Sequence, residues 1–245
     1  ASGTGDFVFV HTGGATTPGA IALEASQVLW GQGAAFSLAG TGLSIPAGAK
    51  PTLTGTVTLG GSNVVVSSLD VSTSSATGLT DNQAGAISGI TVQNNVTVTA
   101  ANAAAVDLTG VSASASGITF TSLTSTNSPG KGVNLTGIGG SFTSGATTVT
   151  NPSGIGIDIQ TSLAAGTINL GTTSATSSGG TGLNLASNLG NVTFGALTVS
   201  PDANQRGLLA TENAGTLTVP SGTVTTTGAT AVEITRSAGT TPLSV

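Results

Sequence analysis

The hydrophobic and polar positions of this chain alternate in short bursts, and each burst ends at Gly, Ser or Asn. A four-residue motif of small, aliphatic, any, aliphatic recurs through the second half. It reads AVDL from Ala105, GVNL from Gly132, GIDI from Gly156, GLNL from Gly182, GLLA from Gly207 and AVEI from Ala231. Successive starts lie 27, 24, 26, 25 and 24 residues apart. Upstream, GLTD from Gly78 and TLTG from Thr52 extend the series by 27 and 26 residues.

Two further alternating segments fill each interval. One column holds Ile90-Thr91-Val92, Ile118-Thr119-Phe120, Ile168-Asn169-Leu170, Val192-Thr193-Phe194 and Leu217-Thr218-Val219. The other holds Leu69-Asp70-Val71, Val96-Thr97-Val98 and Leu197-Thr198-Val199. Alternation at period two places the aliphatics on one face and Thr, Asn or Asp on the other. No segment carries apolar residues at i, i+3, i+4 and i+7, so helices are not expected. Three short strands per repeat of about 25 residues predict an all-β solenoid whose coils are parallel strands stacked in register. One such coil cannot bury its apolar face alone. Each neighbour covers it, and every buried Val, Ile, Leu or Phe adds roughly 1.5–3 kcal/mol. Residues 1–50 read as an N-terminal cap with the first coils, and 51–245 as the regular coils of one domain.

Composition agrees and narrows the function. Of 245 residues, 38% are hydrophobic but only 5% are charged, so solubility rests on Ser, Thr, Asn and backbone. Thirty-eight glycines without a collagen period favour strands and tight turns. The net charge is −5, and the four basic residues, Lys50, Lys131, Arg206 and Arg236, are scattered. Nucleic-acid binding, which needs clustered cations, is not expected. With no cysteine, thiolate sites and disulfides are absent. No apolar run is long enough for a transmembrane helix. The start ASGTGDFVFV has neither Met nor leader, which reads as a mature or excised fragment.

At this level the chain resembles the right-handed parallel β-helix, or pectin-lyase-like, proteins secreted by bacteria. Its opening, GDFVFV followed by GAIALEASQVLWGQGAAFSL (residues 5 to 38), is similar to the first coils of bacterial surface β-helix repeat proteins. Right-handedness follows from that resemblance and from the general preference of parallel crossovers.

The third position of the motif supplies the candidate site: Asp107, Asn134, Asp158, Asn184, Leu209 and Glu233. In register, these residues stack on one outer face about 4.8 Å apart. The resemblance to polysaccharide lyases and hydrolases makes Asp107 and Asp158 a candidate catalytic pair. Two rungs separate them by about 9.6 Å, at the upper limit of about 9.5 Å for inverting carboxylates. No Lys, Arg or His stands at a matching point of an adjacent coil in the sequence. The alternation of Asp with Asn favours a different reading, a polar ladder with Asp158 keeping that face wet. Metal binding is not expected, because the acids are diluted by amides. Thr91, Thr119, Thr193 and Thr218 form a second candidate array, which by resemblance to ice-binding β-helices implies an ice face. His11 reads as a turn residue, and Trp30 as packing over the first coil in a cap. Asn95, Asn134 and Asn191 fit N-glycosylation tripeptides.

These readings converge on a structural extracellular protein, a surface, stalk or fibre-forming module with adhesive capacity. It needs no cofactor. Its partners are a glycan or other surface ligand, neighbouring domains of a longer chain, or further copies. The last residues, SAGTTPLSV, show no charged or helical cap. That points to continuation of the chain or to head-to-tail contact. A polysaccharide-degrading enzyme and an ice-binding protein are the alternatives.

Overall fold

A computed structural model of the chain describes residues 4–13, 19–38, 40–81 and 85–236. It is an all-β parallel solenoid of about nine turns, with about 25 residues per turn. Among the described residues there is no helix.

The recurring motif forms a narrow sheet of nine parallel strands. They run in order Ile21–Leu23, Val57–Leu59, Leu79–Thr80, Val106–Thr109, Val133–Thr136, Ile157–Gln160, Leu183–Ala186, Leu208–Thr211 and Val232–Thr235. Register is unbroken: Val106, Val133, Ile157, Leu183 and Leu208 pair in succession, as do Leu108, Leu135, Ile159, Leu185 and Ala210. Both columns are buried. The upstream member differs from expectation. Thr52–Leu53 pairs instead with Asp70–Thr73 in the other sheet, and Val57–Leu59 takes the narrow-sheet place.

The remaining segments form a broad sheet of twelve strands. Five of them, Ile87–Ala101, Val111–Thr126, Ser141–Thr150, Thr167–Thr176 and Asn191–Ser200, are long strands, and the first and last each join a predicted segment of both columns into one strand. Glycine is what lets the last three turn the corner. Gly145, Gly171 and Gly195 lie between matched register pairs on adjacent coils. A Cβ on Gly171 would stand 2.2 Å from the Gly145 carbonyl oxygen. The backbones of successive coils approach too closely there for any side chain.

Inward residues of both sheets fill one continuous core, with Phe120, Phe142 and Phe194 among its largest members. The rings of Phe120 and Phe142 lie 5.7 Å apart. The first coils carry an antiparallel hairpin, Phe36–Leu38 with Leu43–Ile45. Trp30 is placed differently from expectation. Leu29 and Val8 pack inward, so alternation turns Trp30, Phe7 and Phe9 outward. Phe36 of the hairpin meets all three rings at 5.5–5.8 Å. Trp30 thus covers a flank of the solenoid rather than its open end, because the side-chain alternation of its strand leaves no other direction.

Candidate functional site

The third position of the motif forms one column across the narrow sheet. Thr80, Asp107, Asn134, Asp158, Asn184, Leu209 and Glu233 are partners in succession. The column is a hydrogen-bonded ladder. Asn134 Nδ2 donates to Asp107 Oδ1 at 2.7 Å, and Asn184 Nδ2 donates to Asp158 Oδ1 at 2.7 Å. Gln160 Nε2 donates to both oxygens of Asp158, at 2.9 and 2.7 Å. Parallel register sets this geometry, since identical positions of adjacent coils lie within reach of one amide group.

Two expectations change here. Asp158 does not wet an outer face, because its side chain has no exposed surface. And a cation does stand at a matching point. Lys131 is the turn residue just before Gly132, and its Nζ lies 2.5 Å from Asp158 Oδ2 on the next coil and 2.9 Å from Asn134 Oδ1. The same arrangement recurs when Arg206, just before Gly207, places Nε 2.7 Å from Glu233 Oε2. These cations precede the alternating motif, so the period-two pattern does not reveal their direction.

A cleft of about 570 Å³ opens beside the first rungs. Asp107, Asn134 and Lys131 form its polar floor, and the turns around Ala76, Ala103 and Gly130 form its walls. Asp107, half-buried, faces this space, whereas Asp158 is sealed beneath Lys131, Gln160 and Asn184. The two acids therefore present unequal chemistry. Only Asp107 can meet a ligand, and Asp158 is fully occupied by donors. Asn134 is also buried, with its amide nitrogen engaged by Asp107.

The threonine candidates divide. Thr119, Thr193 and Thr218 share one column with Thr143 and Asn169. Thr91 lies outside it, because register shifts interrupt the pairing around Ile90 and Val92. Its buried hydroxyl instead meets Ser114 Oγ at 2.7 Å.

A longer hydroxyl column on the broad sheet escaped the sequence reading. Ser72, Thr99, Thr124, Thr148, Ser174, Thr198 and Thr223 pair in succession without a break. Two residues on, Thr126, Thr150, Thr176 and Ser200 form a parallel column. The signal was present as TST, TVT, SAT and TVS, each closing a long strand.

Among the described residues no group of three or more His, Asp or Glu side chains is placed to hold a metal ion. His11 is exposed. No helix among them is long and apolar enough to cross a membrane, which leaves strand-based crossing unaddressed. No protein-family model matches the chain, and no curated protein or solved structure matches it significantly.

Proposed function

We propose that the chain is a structural module of an extracellular surface, stalk or fibre protein of the parallel β-helix type. One observation carries the reading: the charged and amide side chains of the narrow sheet fasten coil to coil rather than surround a reaction centre. Lys131–Asp158 and Arg206–Glu233 join neighbouring turns there, the Asn–Asp rungs do the same, and Lys50–Asp70 joins turns on the broad sheet. Nine rungs at about 4.8 Å make a rod roughly 40 Å long. Val232 and Ile234 remain 49% and 44% exposed on the last described narrow-sheet strand. A further parallel coil, from a second copy or from a neighbouring part of a longer chain, would cover them. The cleft beside Asp107 is where a neutral glycan would make contact in an adhesive version of this role. Negative-stain microscopy and light scattering of the purified chain test assembly, with rods stacked end to end as the expected image. Discrete monomers under all conditions would remove the fibre version.

The continuous Ser/Thr columns favour one second reading, an ice-binding face. Seven hydroxyl-bearing rungs without a charge, backed by a rigid sheet, form a regular lattice that can order water. Thermal hysteresis with faceted crystals is the expected result of that reading. Unaltered ice growth at high protein concentration would end it.

A further inference from the structure

Lys131 is a turn residue whose amine ends inside the polar ladder. Its Nζ contacts Asp158 Oδ2 at 2.5 Å, and the Asp158 side chain is wholly shielded from solvent. The other carboxylate oxygen, Oδ1, accepts from Asn184 Nδ2 and from Gln160 Nε2, which also donates to Oδ2. Asn134 is oriented by donating Nδ2 to Asp107, which leaves its Oδ1 facing the amine at 2.9 Å. An amine, a buried carboxyl carbon and two donors on the carbonyl oxygen are the parts of an amide-forming site.

We propose that Lys131 and Asp158 condense into an intramolecular amide that fastens adjacent coils covalently. The reaction requires one proton to pass from Nζ to Oδ2 across their 2.5 Å contact. The neutral Nζ then adds to Asp158 Cγ. Negative charge moves onto Oδ1, where the Asn184 and Gln160 amides stabilise it. Oδ2, already protonated, takes a second proton from Nζ and departs as water. The Nζ–Cγ bond forms and the Cγ–Oδ2 bond breaks. One ammonium and one carboxylate become one amide and one water, with no oxidant or cofactor. The last N–H remains directed at Asn134 Oδ1. Fixed contact supplies the driving force that free amines and acids in water lack, since well-oriented intramolecular pairs reach effective molarities of about 10⁵ M or more.

The other ion pairs serve as internal comparisons. Asp70, held by Lys50 at 2.6 Å, is 30% exposed and open to water. Arg206 brings a guanidinium to Glu233, which is a poor nucleophile. The amide therefore belongs to Lys131 and Asp158 alone.

Intact-mass measurement of the purified full chain, after days at neutral pH, tests this. The expected mass lies one water below that of the sequence. A denatured tryptic digest then shows cleavage after Arg206 and none after Lys131, and fragment spectra join Lys131 to Asp158. Lys131→Arg keeps the charge but cannot form the amide, and is expected at its full sequence mass. Wild-type protein at its full mass, with cleavage after Lys131, overturns the proposal. So does a water loss that fragment spectra place elsewhere. The wild-type result decides even if the variant folds poorly.

Discussion

Asn188 Nδ2 donates to Asn213 Oδ1 at 2.8 Å, one coil apart and wholly inside the solenoid. Each amide also satisfies backbone. Asn188 Nδ2 reaches the Ile159 carbonyl, its Oδ1 accepts from the Ser162 N–H, and Asn213 Nδ2 reaches the Leu185 carbonyl. Removing one side chain strands buried donors and acceptors, which costs about 1–3 kcal/mol for each group left unsatisfied. Asn188→Ala is therefore expected to lower stability by about 3 kcal/mol in urea denaturation. The comparison is Asn151, whose Nδ2 also meets an asparagine, Asn127, but in solvent. Asn151→Gly keeps the left-handed backbone (φ 55°) free of strain and should cost no more than about 1 kcal/mol. Equal losses in the two variants would contradict the argument.

Two glycines that look alike in sequence differ in the same way. At Gly171 a methyl group meets the Gly145 carbonyl, which is backbone and cannot swing aside. Gly171→Ala is expected to destabilise by about 1–3 kcal/mol, the usual cost of overpacking. At Gly130, on the wall of the cleft, a Cβ meets nothing within 4 Å and the backbone is not left-handed. Gly130→Ala should be neutral or raise stability by up to about 1 kcal/mol, through the unfolded chain. Thermal unfolding of the pair measures the difference directly.

Surface ion pairs should matter little. Arg206 and Glu233 are 52% and 32% exposed, so water and salt screen their attraction. Glu233→Gln is expected to shift stability by less than about 1 kcal/mol, and by less still at high salt. A loss several times larger, in chemical denaturation at both ionic strengths, would mean that this contact holds the last described coil in place.

What the sequence revealed follows from how local each signal is. The narrow-sheet strands from Leu79 to Val232 were legible because alternation and spacing recur together, and each inward pair, such as Val133 and Leu135, is set by its own four residues. The Thr52 member misled because Pro51, the hairpin at 36–45 and a shorter coil shift the frame, and TVTL from Thr56 resembles TLTG closely. The merging of two segments into single bent strands was hidden, since Gly171 reads as a turn until Gly145 is stacked against it. Asp107 and Asp158 stand two rungs apart in one register column, a placement set by the repeat spacing. The burial of Asp158 was not legible, because Lys131 folds back from a turn whose direction no periodicity encodes. Asn188 and Asn213 carried a weak signal, both standing four residues after a motif's third position.

The solenoid is nearly one-dimensional, which gives the last prediction. Each coil rests only on its neighbours, so local opening should be easiest where one neighbour is missing among the described turns. Central strands such as Ser141–Thr150 and Thr167–Thr176 are paired on both sides over eight and nine register positions, and their inward rings and aliphatics are fully covered. Val232–Thr235 has a partner on one side, and its Val232 and Ile234 stay exposed. Amide hydrogen exchange is therefore expected to be slowest between about residues 106 and 199 and fastest in the coil containing Val232. Phe142→Ala, which empties a fully buried site at a cost of about 3–5 kcal/mol, should speed exchange in the strands beside it. It should leave the flank around Phe36 almost unchanged, because coupling passes from coil to coil and weakens with each one. Uniform acceleration along the whole chain would show that the turns unfold as one unit instead, and that the fastening between coils outweighs their individual stabilities.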